Sequence, residues 1–392
     1  MPWKECDLMD VRTEFVTRAM GKGVDFGRLC REYGISRKTG YKWQKRFLGG
    51  GLSALGDRSR RPQRSPAGLA EGVVCEMVRL KYSHRHWGAA KIRDLYLRKH
   101  CAAPSVSSFK RILDKAGLVM HRRRRPVSSH EPLRTGIQPR EPNDLWTVDF
   151  KGWWYTAGRQ RCEPLTVRDA CCRFILAITA VPSSRTSEIR KQFERLFERY
   201  GLPKAIRSDN GSPFASTRSP LGLSALSAWW VALGITLDRT RPAHPEDNGS
   251  HERMHRDIRA ELQGLIEGDI SNHQHAFDVW REEYNWERPH EALGMKRPGE
   301  VYHKSSIPWQ GTPDELAYDT SLFSRKISSA GQLVVNRTSI FISKALTGWN
   351  VGLRFIAEQR LELWFAHLRL GEVDLTTNAF VEASQPTKSE AA

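Results

Sequence analysis

Between Asn143 and His290 the apolar pattern switches repeatedly between a two-residue and a 3.6-residue period, and few folds accept that switching. DLWTVDF alternates and is rich in strand formers, and CEPLTVRDA and CRFILAITAVP are two further strand-like runs. TSEIRKQFERLFERYG reads as an amphipathic helix that opens at Thr186 or Ser187 and closes at Gly201. PKAIRSDNG reads as a short buried strand ending in a turn, LSALSAWWVALG as a largely apolar helix, and ITLDRTRP as another strand. Residues 249–266 and HQHAFDVWREEYNWERPH give two more helices. Three strands followed by helix, strand, helix, strand, helix predict a mixed sheet with helices on both faces.

The flanks differ from this middle. Residues 1–140 hold 31 Lys/Arg against 12 Asp/Glu, so they carry the whole of the +18 formal charge. A region that basic meets a polyanion, and nucleic acid is the commonest. Residues 10–48 read as three short helices, Val11–Met20, Phe26–Tyr33 and one that Ser36 opens. Gly34 stands where a left-handed cap ends the second of them. Together they spell a helix-turn-helix. On its last helix Arg37, Lys38, Thr39, Lys42, Lys45 and Arg46 are the candidates for groove and phosphate contacts. VSSFKRILDKAGL resembles a second capped recognition helix, with Ser107, Lys110 and Arg111 near its start. HRRRRP supplies a cationic strap in Arg122, Arg123, Arg124 and Arg125.

The expected organisation is a helix-turn-helix domain at 1–50, a linker at 51–66 and a second helix-turn-helix-like domain at 67–120. A basic linker at 121–140, the mixed-sheet domain at 141–305, a small antiparallel β-barrel at 306–385 and a disordered tail at 386–392 complete it. Seven cysteines without a Cys-x-x-Cys pair suit buried thiols in a reducing compartment. With no apolar run near membrane length and no signal-peptide pattern at MPWKECDLMD, a cytoplasmic protein associated with the nucleoid and not with a membrane is expected.

Three carboxylates stand at strand ends or a helix start, where sheet architectures gather ligands. Asp149 lies inside an apolar strand, which is costly unless something balances its charge. Asp209 ends the strand IRSD, and Glu252 lies in the first turn of a helix after Asn248-Gly249-Ser250. Singly, Asp209 reads as a turn former and Glu252 as a helix-dipole partner. Hard oxygen ligands without a sulfur or histidine cluster suit Mg²⁺ or Mn²⁺. Glu246 and Asp247 are the competing third carboxylates, in a Pro-flanked turn that fixes their direction poorly. Trp146, Trp153 and Trp154 flank Asp149 and read as core and cover before a base-stacking platform.

TVDFKG, RSDNGSPFAS and HPEDNGSHERMH resemble the three signature blocks of DDE-type insertion-sequence transposases with a retroviral-integrase-like core. GLSALGDRSRRP, LSALSAWWVALGI and RPHEALGMKRPGEVY extend the resemblance over nearly the whole chain. One departure is the 43 positions from Asp209 to Glu252, longer than the family pattern, with STRSPLGL at 216–223 as the added loop. The resemblance implies a multidomain α/β protein: helix-turn-helix modules, an RNase H-like catalytic core at 141–305 and a small C-terminal barrel. It implies that Asp149, Asp209 and Glu252 hold two divalent ions, Mg²⁺ or Mn²⁺, and cut and join DNA without a protein nucleophile. On the same helix His255, Arg256 and Arg259 would touch DNA near the cut. The implied partners are double-stranded DNA, both element terminal inverted repeats and target, and a second copy of the chain, since two ends must be brought together. The competing reading is a DNA-binding regulator whose sheet domain is catalytically dead; it predicts no Mg²⁺-dependent nicking.

Overall fold

The computed structural model describes residues 8–57, 68–119, 136–181, 183–241 and 244–383. The chain divides into two compact units, 1–70 and 71–392. In the first, α1 (Leu8–Ala19), α2 (Phe26–Glu32) and α3 (Arg37–Gly50) close around Phe15, Val16, Leu29, Cys30 and Trp43. The helix starts follow the capping chemistry: Asp25 accepts from the amides of Gly27 and Arg28, and Ser36 from that of Thr39. Gly40 lets α3 come close to its neighbours. A Cβ there would lie 2.7 Å from Cys30 Sγ and 3.0 Å from the Phe15 and Phe26 rings.

The second unit opens with α4 (Glu71–Ser83), α5 (Ala89–Lys99) and α6 (Val106–Lys115), the last capped by Ser105. The sheet follows, with β1 (Trp146–Phe150), β2 (Trp154–Tyr155), β3 (Arg161–Asp169) and β4 (Ile175–Val181). After α7 (Thr186–Tyr200) come β5 (Ala205–Ser208), α8 (Ala225–Ala232) and β6 (Thr236–Arg239). Helices α9 (Gly249–Glu261), α10 (Ile270–Trp286) and the short α11 (Pro298–Val301) complete the middle of the chain. Strands β4, β3 and β1 run antiparallel, and β1, β5 and β6 run parallel, while β2 pairs with the start of β3. The mixed sheet expected from the period switching is what forms. Helix α9 is shorter than the expected 249–266, ending at Glu261.

Alternation along the strands sorts the two faces. Trp146, Val148, Leu165 and Val167 point to one side, where Phe193 and Phe197 of α7 and Trp229 and Trp230 of α8 cover them. Thr147, Asp149, Thr166 and Arg168 point to the other, toward α9. On that side Ile175 and Ile178 meet Met254 and Ile258 of α9 and Phe277 and Trp280 of α10. Among the described residues no helix is long and apolar enough to cross a membrane.

The C-terminal strands are β7 (Phe323–Lys326), β8 (Gln332–Val335), β9 (Thr338–Phe341), β10 (Asn350–Ala357), β11 (Arg360–Phe365), β12 (Leu368–Asp374) and β13 (Ala379–Glu382). The expected closed barrel is an open antiparallel ladder, β13-β12-β11-β10-β7. The separate hairpin β8–β9 lies against both of its edge strands, so packing and not a continuous ladder encloses the core. That core is continuous with the central sheet domain: Leu223, Ala228 and Val231 belong to the same cluster as Leu333, Leu353 and Phe365. The added loop at 216–223 makes the junction. Ser219 Oγ lies 2.6 Å from Ser343 Oγ, and the Leu221 amide donates to Glu382 at 2.6 Å.

Gly40→Val should destabilise the protein by about 2 kcal/mol, the usual cost of overpacking a filled contact. Calorimetric unfolding of the full chain checks this; an unchanged melting profile would contradict the packing.

Candidate active site

Asp149 sits on β1 opposite Thr166 of β3, with 27% of its side chain accessible. Burial pushes its carboxyl up to about 7, and the negative charges of Asp209 and Glu252 add to the rise. Asp209 follows the end of β5, where its Oδ1 accepts from the Gly211 amide at 3.1 Å. Glu252 lies in the first turn of α9, and both it and Asp209 are exposed. The fold therefore brings the three carboxylates within electrostatic range on one face of the sheet.

Asp247 is committed elsewhere. Arg241 holds it through two guanidinium bonds of 3.0 and 2.8 Å and a backbone amide at 3.0 Å, which keeps its carboxyl down at about 2. The side chain of Glu246 lies outside the described residues. Buried Arg207 binds Asp238 at 2.6 Å, the Asp247 carbonyl at 3.2 Å and the Ile137 carbonyl at 2.8 Å. One cation thus ties the ends of β5 and β6 to the turn that leads into α9.

What aims α9 is a buried polar network that sequence reasoning missed. His251 and His255 are four residues apart and share the inner face of the helix. Thr166 Oγ1 lies 2.7 Å from Nε2 of each, and Thr147 Oγ1 lies 2.8 Å from His251 Nδ1. The Thr166 hydroxyl donates to the Asp149 carbonyl at 2.9 Å, so both Nε2 atoms must carry the hydrogens it accepts. His251 Nδ1 meets the Thr147 hydroxyl, which also reaches the Arg168 carbonyl at 3.3 Å. Burial favours neutral rings and holds both imidazoles well below the ordinary range, His255 down to about 3. His255 Nδ1 is left facing Asp149 Oδ2 at 3.8 Å. His255 is therefore turned into the sheet, away from the outward stripe on which it was expected. Arg168, 1% exposed, fixes the helix start by donating to the Ser250 carbonyl and Oγ at 2.9 and 2.6 Å. The sequence signal was available: Thr147 shares the strand face of Asp149, and His251 and His255 share a helix face.

The expected DNA-contacting residues fall into several groups. Ser107, Lys110 and Arg111 of α6 and Arg256 of α9 line one groove of about 1050 Å³, together with Arg85 and Arg253. The groove walls are locked by Arg288, which reaches Asp257 at 2.7 Å and Glu261 at 3.5 Å and lies 6.0 Å from the Trp87 ring. His84, just after α4, adds a 3.0 Å contact with Glu283 of α10. Arg259 lies on the neighbouring stripe of α9, near Lys151, whose ammonium is lowered by burial and then by Arg259. In the first unit Arg37, Lys38, Lys42 and Lys45 are exposed. Thr39 is tied into the cap at 2.9 Å from Ser36 Oγ, and Arg46 and Lys42 lie over the Trp43 ring at 4.9 and 5.0 Å. Arg122, Arg123, Arg124 and Arg125 lie outside the described residues. Of the three tryptophans, Trp146 is core and Trp154 packs on α10, but Trp153 is 54% exposed, contrary to its reading as cover.

Among the described residues no three Asp, Glu, His or Cys groups lie close enough to form a finished metal cage. The donor chemistry nevertheless fits a hard divalent cation: the set is all carboxylate oxygen, and Asp149 carries an uncompensated repulsion that such a cation would relieve.

Integrase core domain models match residues 139–245 and 233–298, a helix-turn-helix domain model matches 11–63, and a homeodomain-like domain model matches 39–113. The chain is 29% identical over 237 residues to the insertion element IS407 uncharacterized 31.7 kDa protein of Burkholderia multivorans, covering 60% of this chain and 82% of that one. It is 28% identical over 241 residues to the insertion element IS476 uncharacterized 39.2 kDa protein of Xanthomonas euvesicatoria, covering 60% of this chain and 66% of that one, just under two thirds. Among solved structures, the HTLV-2 integrase catalytic core domain in complex with magnesium aligns with a TM-score of 0.31 and 15% identity, over 42% of this chain and all of that one. The matched family models and relatives support an insertion-sequence transposase with an integrase-like core.

Two outcomes follow from the electrostatics and the network. Asp149 binds its proton more tightly folded than unfolded, so its contribution favours folding at low pH and is lost as pH rises through about 7. Without divalent ions, Asp149→Asn should melt above wild type at pH 8, and the gap should shrink toward pH 4; a thermal scan across pH reads both. Thr166→Val strands two buried imidazole N–H groups and should cost about 2 kcal/mol in denaturant unfolding.

Proposed function

We propose that this protein cleaves DNA at the ends of its insertion element and joins the freed ends to target DNA. The observation that carries this reading is that Asp149, on the sheet face under α9, has its carboxyl pushed up to about 7 by burial and then by the charges of Asp209 and Glu252. These residues would hold divalent ions, Mg²⁺ or Mn²⁺ in pairs. When bound, such ions activate an attacking hydroxyl and stabilise the leaving oxygen of a phosphodiester. The side chains do the rest. Asp149 is fixed by its strand and the Thr166 bond, and Glu252 is aimed by the histidines one position before it and three after. Lys151 and Arg259 offset phosphate charge beside the site.

DNA would be held in two places. The exposed cations of α3 suit one duplex segment, and Lys110, Arg111, Arg253 and Arg256 suit a second, in the groove against α9. That groove links a helix-turn-helix element to the helix that carries Glu252, so a bound terminal repeat would be positioned by the same body that cuts it. Joining two ends requires at least two copies of the chain.

The test uses purified full-length chain, Mg²⁺ and duplexes taken from the DNA bracketing the gene. Asp149→Ala, Asp209→Ala and Glu252→Ala should each reduce strand cleavage by at least about a thousandfold, the scale expected for removing a metal ligand, while end binding by gel shift persists. Cleavage retained by the Asp149 or Asp209 variant would refute the assignment, and a wild type that binds ends without cleaving would favour the catalytically dead regulator. Charge reversal of Lys110 and Arg256 together should weaken binding across all sequences and flatten its salt dependence by about two phosphate contacts.

A further inference from the structure

Beside Asp149 the chain builds a small device that the proposed chemistry does not use. β1 pairs Phe150 with Leu165, and β2 pairs Trp154 with Cys162, so four steps on one side oppose three on the other. The extra residue is a bulge at Gly152, whose φ of +88° favours glycine. Beyond it, alternation turns Trp154 inward, 6.2 Å from Phe277 and from His273. Trp153 and Tyr155 are turned outward, 54% and 62% exposed. Their rings meet edge to face at 5.4 Å, and the Arg161 guanidinium lies 5.1 Å over Trp153 while also bonding Glu163 at 3.0 Å.

The hairpin is held firmly enough to present them. Thr156 and Gln160 close its turn with bonds of 2.9 and 3.2 Å, and the Gln160 side chain accepts from the Ile270 amide at 3.2 Å, at the start of α10. Exposing two large aromatic side chains costs hydration free energy, and here neither is covered by the rest of the unit. Cations stand close by: Arg161 lies over Trp153, and Lys151 and Arg159 flank the aromatic pair along the hairpin, which suits a nucleic acid better than an apolar protein face. Position argues likewise. Trp153 is four positions along the chain from Asp149, at most about 13 Å at an extended rise, or about three to four stacked bases.

We propose that Trp153 and Tyr155 form a stacking platform for an unpaired nucleobase of the DNA end, a few nucleotides from the phosphodiester held at Asp149. The proposal rests on the reading of that centre as a DNA-cleaving site. Stacking on an aromatic face is tolerant of base identity and is lost with the ring. The platform would keep the end frayed, so that the strand to be cut reaches the carboxylates without its partner.

The full-length chain tests it in two ways. Fluorescence anisotropy with single-stranded oligothymidylate should show the Trp153→Ala/Tyr155→Ala variant binding about tenfold more weakly, with Trp153→Phe retaining most of the affinity and a fully paired duplex of equal length bound as by wild type. In Mg²⁺-dependent cleavage the double variant should be slow on paired element ends and restored on ends whose terminal bases are mismatched. Equal binding of oligothymidylate by wild type and variant would overturn the proposal. So would a cleavage loss that mismatches do not rescue, or a change of oligomeric state in sedimentation, which would make the aromatic pair a subunit contact. If wild type cleaves no end yet shows the expected oligothymidylate difference, the cleavage reading fails and the platform stands as a binding site.

Discussion

The contact on which the site depends is the one between Thr147 and Thr166 of the sheet and His251 and His255 of α9. A polar sheet face under a covering helix is costly unless every group finds a partner. Here both Nε2 atoms donate to one threonine, whose own hydroxyl donates to the Asp149 carbonyl. That requirement fixes the rotation of α9 about its axis to within a hydrogen bond. Glu252 follows His251 by one residue and precedes His255 by three, so its direction is set by the same rotation. A merely apolar interface would hold the helix as tightly but would tolerate sliding.

Asp149 pays for this arrangement. Its carboxyl is kept from full solvation on a strand and faces two other negative charges, which Lys151 offsets in part, and among the described residues no Lys or Arg bonds it directly. Arg207, Arg241 and Arg168 are each engaged elsewhere, with Asp238, Asp247 and Ser250. The structural cations are thus spent on the turn and on the helix start. The repulsion left at Asp149 is the physical form of an invitation to a hard cation, and it implies a fold less stable than the same chain with that charge removed.

Much of this was legible in the sequence, for definable reasons. Period switching between 143 and 290 gave the mixed sheet because each element buries one face and shows its period. Ser36 and Ser105 mark helix starts because capping is local chemistry. Asp149, Asp209 and Glu252 stood out because carboxylates at strand ends are costly or placed with purpose. The network of Thr147, Thr166, His251 and His255 was hidden because its pairs span 85 to 104 positions and no local rule links them. His255 looked like a DNA contact because helical spacing places it near Glu252 but does not say which side faces the sheet. The exposure of Trp153 was hidden by the bulge at Gly152: without it, strict alternation assigns faces differently on either side of the break.

The loop at 216–223 shows how a departure in spacing becomes structure. It lengthens the interval between Asp209 and Glu252, which on sequence grounds weakens the case for Glu252. In the fold the added residues leave the sheet face altogether. Leu223 enters the C-terminal core, Ser219 and Leu221 bond to Ser343 and Glu382, and Arg239 of β6 donates to the Gly222 carbonyl at 3.2 Å. The added residues are engaged by the C-terminal sheet. Spacing along the chain is therefore a weaker constraint on such a site than the hydrogen bonds that tie α9 to β1 and β3.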